Sequence, residues 1–342
     1  MCIPELVTSV LLALGSSGAP QEESAPIPWS KAQQKEISTR QLQIKPSAGY
    51  FKFDTPYWYV KTDVSGHFTA EISLLADLLA TAFHDILRTK PTKSVVPSLW
   101  VFSNESDLRK YVPDATPMQF RPKYDNRNRW IEFHVYVLMP KGATELASLD
   151  LFLLRSTCLD ALITQVAGRA DAPQWLFAAC RAYLGTWDFG TNRAENQAGW
   201  PDRARFRSLI ERLARMKDEE LPRISDLLVM TRAQWNARPD AERMDLDAQA
   251  ESLLHLLTAT KEGRPYLEEI IDAASKGRPL DLTEREKEAL DALFRKCLRE
   301  WIPPLAPKSD KKPGLFPNGK NDKKDKLDAS AAFMIASLVD SR

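Results

Sequence analysis

Apolar residues recur at helical spacing over Phe68, Ile72, Leu75, Leu79, Phe83 and Ile86, which predicts one long amphipathic helix with its stripe toward a core. Ser73, Asp77 and His84 fall on the other, polar side, where the expectation is a solvent-exposed histidine. Upstream, Tyr57-Trp58-Tyr59-Val60 has the aromatic and β-branched content of a strand. Ser98 to Phe102 predicts a second strand, and Glu105 to Tyr111 a short helix capped by Ser103 or Asn104. From Trp130 to Leu138 the pattern alternates. Ile131, Phe133, Val135 and Val137 point one way, and Trp130, Glu132, His134 and Tyr136 the other. We read this half-buried strand as a sheet edge with an amphipathic outer face.

Beyond residue 145 the period changes to nearly unbroken helix. Leu146 to Val166 is apolar on most sides and predicts a central, buried helix. Trp175 to Tyr183 begins another, opened by Pro173, and further helices are expected at about 203–217, 243–260, 264–275 and 283–300. The fold class that follows is α+β: a small mixed sheet with one long helix, then a mainly helical half. No internal repeat occurs.

The chain ends differ from this body. Residues 6–14, LVTSVLLAL, followed by small residues to Ala19, resemble a secretory signal peptide, so secretion into the periplasm or cell envelope is the expected localisation. Residues 20–45 read as a linker rich in proline and polar groups at its start, and 46–302 as the folded domain, divided into 46–143 and 144–302. Residues 303–328 hold prolines and many lysines, which predicts a disordered spacer, with a short tail helix within 329–342.

Composition narrows the chemistry. With 47 basic against 46 acidic residues, the chain has no electrostatic footprint for nucleic acid. No apolar run reaches membrane-spanning length. The four cysteines are far apart and form no C-x-x-C pair, which excludes a cysteine zinc ribbon. P-loop, G-x-G-x-x-G and G-x-S-x-G motifs are missing. The nine tryptophans are scattered, as core residues are, which argues against a carbohydrate platform.

The stretch Leu153 to Tyr183, LLRSTCLDALITQVAGRADAPQWLFAACRAY, resembles the heart of the gluzincin, peptidase-MA-like metallopeptidases. There h-h-x-H-E-x-x-H-A-L is followed by P-x-W-L-x-E-G-L-A-E-Y. Ala161-Leu162, Pro173, Trp175-Leu176 and Tyr183 keep the framework, and the resemblance spans about residues 50–301. It implies a zincin-like fold and, in the family, a catalytic zinc. The chemical positions are changed. Ser156 and Asp160 stand where the two histidine ligands belong, Thr157 where the catalytic glutamate belongs, Ala178 where the third ligand belongs, and Ala182 at the second glutamate of that helix.

Histidines at i and i+4 share one helix face and so can reach one zinc, and the glutamate between them takes a proton from metal-bound water. One carboxylate, two hydroxyls and two methyl groups cannot do this, and the four histidines (His67, His84, His134, His255) all lie outside residues 135–254. Catalytic and metal-ligating residues are therefore expected to be absent, and no cofactor is expected. Cys158, turned about 200° from Ser156 around the helix, is expected in the core, with a Cys158–Cys180 disulfide left open. The reading is a peptidase-like protein without peptidase activity that binds peptide or protein, through the strand carrying Trp130, Glu132, His134 and Tyr136. The alternatives are a hydrolase with a rearranged site and a purely structural envelope protein.

Overall fold

The computed structural model describes residues 27, 29–91, 95–113, 116–124, 130–167, 173–185, 206–276, 278 and 280–301. The expected signal peptide, the spacer and the tail helix lie outside these residues. The chain divides between Ile302 and Pro303.

Helix α1 (Lys31–Gln43) comes first, within the stretch read as a linker. Its start is fixed by a capping box, in which Ser30 accepts from the Gln33 N–H and the Gln33 side chain accepts from Ser30 N–H. Ile37 anchors it, packing with Ile44, Ala70 and Leu74. That single apolar anchor is too sparse to stand out as a periodic pattern, which is why composition alone suggested a linker.

Six strands follow: β1 (Pro46–Ser47), β2 (Tyr50–Asp54), β3 (Tyr59–Thr62), β4 (Ser98–Phe102), β5 (Met118–Tyr124) and β6 (Trp130–Leu138). They form one mixed sheet in the order β1-β2-β3-β4-β6-β5. β3, β4 and β6 run parallel, while β1, β2 and β5 join by antiparallel pairing. The strand expected from Tyr57 is β3, and it begins two residues later. Thr55 Oγ1 accepts from the N–H groups of Tyr57 and Trp58, closing a turn, and Trp58 is fully buried with its indole N–H donated to Ala76 O.

Between β3 and β4 lies α2 (Gly66–Leu87), and α3 (Glu105–Arg109) follows β4 with Asn104 as its cap. After a short turn at Leu146–Ser148 comes α4 (Leu151–Ala167), whose first turn is capped by Asp150 accepting from Leu153 N–H. The helical half continues with α5 (Gln174–Gly185), α6 (Arg207–Arg215), α7 (Ile224–Val229), α8 (Arg232–Asn236), α9 (Asp240–Ala259), α10 (Arg264–Lys276) and α11 (Glu284–Trp301). The class is mixed α and β, as the sequence pattern predicts. No described helix is long and apolar enough to cross a membrane.

The pleat sorts the sheet into two faces. Val60, Leu99, Val101, Val135 and Val137 enter the main core with the apolar stripe of α2 and the buried side of α4. Alternate residues go to the opposite face, where α3 covers Phe102 and Tyr136.

The polar side of α2 departs from expectation, because α1 and the Thr55–Trp58 turn lie against it. Arg40 reaches Asp77 at 2.9 Å and donates to Ser73, and Thr55 donates to Asp77 at 2.6 Å. His84 is buried rather than exposed, stacked on Tyr57 with centroids 5.7 Å apart, with Nδ1 2.8 Å from Thr89 Oγ1.

Burial lowers the His84 pKa from 6.5 to about 4, with Asp85 opposing it weakly. The folded protein therefore holds this histidine neutral where the unfolded chain already binds a proton. Its contribution is complete above pH 6.5, declines as pH falls toward 4 and is level below that. Urea unfolding across this window should show a loss approaching about 3 kcal/mol from this residue, and His84→Gln should flatten that part of the profile.

Candidate functional site

The positions singled out by the resemblance sit on a helical hairpin. α4 and α5 pack side by side. A Cβ on Gly185 would lie 2.9 Å from Phe152 Cε2 and 3.3 Å from Ser156 Oγ, so the helices are in close contact here. Asp160 meets Arg181 one turn further along α4 and one turn back along α5, which makes the pair antiparallel.

Asp160 is the single carboxylate of the set, and it is engaged. Arg181 Nε and Nη2 reach its two oxygens at 2.8 and 2.5 Å, a bidentate contact. Burial works against the arginine charge. The Asp160 field and hydrogen bonds outweigh it, holding the guanidinium above its usual range. Ala178 stands one turn before Arg181 on the same face of α5. Ala178 and Ala182 are both buried. Thr157 is buried and returns its hydroxyl to Leu153 O at 2.7 Å, as helical threonines commonly do. Ser156 is buried too, and its Oγ has no partner among the described residues.

Zinc does not fit this donor set. A zinc site needs three or four nitrogen, sulfur or carboxylate ligands around an open position. Here a hydroxyl and two methyl groups surround a carboxylate already held by a guanidinium. No three His, Cys, Asp or Glu groups converge among the described residues. Cys158, Cys180 and Cys297 are free and buried, so the Cys158–Cys180 disulfide is not formed. Burial, with Asp160 adding to it, pushes the Cys158 and Cys180 thiols well above their ordinary range and keeps them inert.

The second group of expected residues lies on β6, and here the sequence reading needs correction. β6 is not an edge. It is bonded on one side to β4 and on the other to β5, and β5 ends the sheet. Trp130 opens β6. Glu132, His134 and Tyr136 do share the face away from α2 and α4, together with Gln119, Arg121 and Lys123 of β5 and Ser98 and Trp100 of β4.

His134 is held at both ring nitrogens: Nδ1 lies 2.5 Å from Ser98 Oγ and Nε2 2.7 Å from a Glu132 oxygen. The other Glu132 oxygen accepts from Lys123 at 3.2 Å. The His134 hydrogen bond, with that of Lys123, holds the Glu132 carboxyl below its usual range. Burial raises the Tyr136 phenol to about 12. Trp100 packs edge to face on His134 and Tyr136. Beside it the Lys61 ammonium sits 3.9 Å from the Tyr50 ring centre and 4.3 Å from that of Trp100.

Ser98, Lys61 and Arg181 carry no motif, and only the pairing of strands and helices reveals them. The remaining histidines do not join either group. His67 is exposed near Gln41 and Glu71, and His255 lies between Tyr183 and Trp301 in the helical half.

No protein-family model matches the chain, and no curated protein matches it.

Removing Arg181 would leave Asp160 largely buried and uncompensated. Arg181→Ala should cost about 1–2 kcal/mol after allowing for the partial exposure of the guanidinium, and Asp160→Asn in the same chain should recover part of it. Chemical denaturation of the four proteins of that cycle measures the coupling. Zinc titration of Arg181→Ala should remain without a stoichiometric site, since a lone carboxylate is freed.

Proposed function

We propose that this chain is a peptidase-like protein that has given up metallopeptidase chemistry and holds extended peptide or protein segments by strand addition, in the cell envelope. The observation that carries the reading is the placing of α4. The helix of the degenerate motif packs directly against the edge strand β5, while its one carboxylate is engaged by Arg181. Enzymes of the resembling family hold extended peptide at an edge strand next to that helix. The order β3, α2, β4, then the β5–β6 hairpin and α4, supports a zincin-like arrangement.

Among the described residues the edge beside α4 is β5, and its chemistry follows from its register. Leu138 N–H donates to Pro117 O at 2.7 Å, so residues 117 and 138 form a hydrogen-bonded pair. Such pairs alternate in an antiparallel ladder. Gln119, Arg121 and Lys123 therefore bond inward to β6, and the N–H and C=O groups of Met118 and Phe120 face outward. Pro122 also falls on the outward register, where it has no N–H to offer. That is the position where a strand tolerates proline, and it blunts the edge against uncontrolled pairing. The surface left for a partner is short: two residues offering both groups, then a lone carbonyl. Backbone bonds of this kind give affinity without a metal.

Hydrogen exchange of the protein with and without casein-derived peptides tests the reading. The outward amides of Met118 and Phe120 should gain protection on peptide addition, and the peptides should emerge uncut. Pro122→Val, which adds an outward N–H, should tighten binding several-fold. Unchanged exchange at both amides under saturating peptide, or chelator-sensitive cleavage of casein, would overturn it.

A further inference from the structure

With His134 as a neutral imidazole, its two contacts have a defined polarity. A carboxylate accepts and cannot donate, so Nε2 carries a hydrogen and donates to Glu132 at 2.7 Å. The other nitrogen of the neutral ring, Nδ1, is then an acceptor. In that tautomer the Ser98 hydroxyl is the donor in the 2.5 Å contact, and Phe133 O, at 3.3 Å, is the other acceptor within its reach. Hydroxyl, imidazole and carboxylate stand in the polarity that activates a serine. Strand register assembles them, since Ser98 pairs with His134 across β4 and β6 and Glu132 is two residues away on the same face.

A second observation on this face points to a bound acceptor. Trp100 Nε1 and Gln119 Nε2 are buried donors with no acceptor among the described residues. Trp100 packs on His134 with centroids 5.6 Å apart. Gln119 is oriented by Arg121, which donates to its Oε1 at 2.9 Å and leaves the amide NH2 unanswered. Buried donors without acceptors are costly, and each would gain from an acceptor that a bound molecule brings to this face.

We propose that Ser98 is the nucleophile of an acyl-transfer site on the sheet face away from α2 and α4, with His134 as its base, Glu132 as the residue that positions His134, and small esters as its substrate class. Ser98 Oγ attacks the ester carbonyl carbon while its proton passes to His134 Nδ1. The C–O bond to the alcohol breaks, and the alcohol leaves with that proton. Water, giving a proton to the same nitrogen, then cleaves the acyl-serine; the acid departs and the serine hydroxyl is restored. Ser98 is 7% exposed, and small acyl groups are the ones proposed for that reason. The site is separate from the outward edge of β5, so failure of either proposal leaves the other standing.

The full chain is treated with p-nitrophenyl acetate and followed by intact mass, peptide mapping and release of p-nitrophenol. The expected result is a single adduct on Ser98, absent in Ser98→Ala and formed at least about 100-fold more slowly in His134→Asn. Glu132→Gln should slow it about ten-fold or more and move the rising limb of its pH profile to lower pH, because loss of the carboxylate eases deprotonation of the imidazolium. A merely structural Glu132 would leave that limb in place. Wild-type protein carrying no adduct on Ser98, or His134→Asn acylated there at the wild-type rate, overturns the proposal.

Discussion

The one-sided burial of the sheet is the constraint from which the other features follow. β3, β4 and β6 run parallel at its centre, and α2 and α4 cover one face of them. Every second side chain must then be apolar, and Val60, Leu99, Val101, Val135 and Val137 meet that demand in the main core. The pleat sends the residues between them to the other face. Ser98, Trp100, His134 and Tyr136 are neighbours because of this rule, not because of any local sequence motif. A slip of one residue in the β4–β6 register would bury a histidine against α4 and expose a valine.

In the helical hairpin a different interaction decides the chemistry. A guanidinium occupies both oxygens of Asp160 from a neighbouring turn of α5. Zinc would need that carboxylate free of a competing cation, with at least two further ligands beside it. The small residues along α5 instead allow close packing, to the point that Gly185 has no room for a Cβ beside Phe152. This hairpin has the character of a packed interior with one internal ion pair.

Much of this was legible in the sequence. The periodic stripe of α2 and the apolar length of α4 announced themselves, because each buries many side chains on a regular spacing. The polar side of α2 misled, since hydropathy cannot show that α1 lies across it and supplies Arg40 to Asp77. The alternation of β6 revealed a strand with two unlike faces but not its neighbours, so an internal strand passed for an edge. The true edge gave little signal: β5 carries Arg121, Pro122 and Lys123 in its second half, which dilutes any alternation. Arg181 was hidden for the same reason as Ser98, as each matters only through a partner more than 20 residues away.

The exposure gradient along Ser98, His134 and Glu132 bears on how such a relay can be maintained. Ser98 is 7% exposed, the His134 side chain 18% and the Glu132 side chain 43%. The permanent charge lies where water and Lys123 can solvate it, and the neutral hydroxyl lies where burial costs least. The imidazole between them is the one group whose charge changes when a proton moves. With Glu132 at 2.7 Å, an imidazolium formed there has its counter-charge already in place. Reversing the order, with the carboxylate innermost, would add the desolvation of a fixed charge beneath an open sheet face. The sheet therefore holds hydroxyl, imidazole and carboxylate side by side at small cost to its own stability.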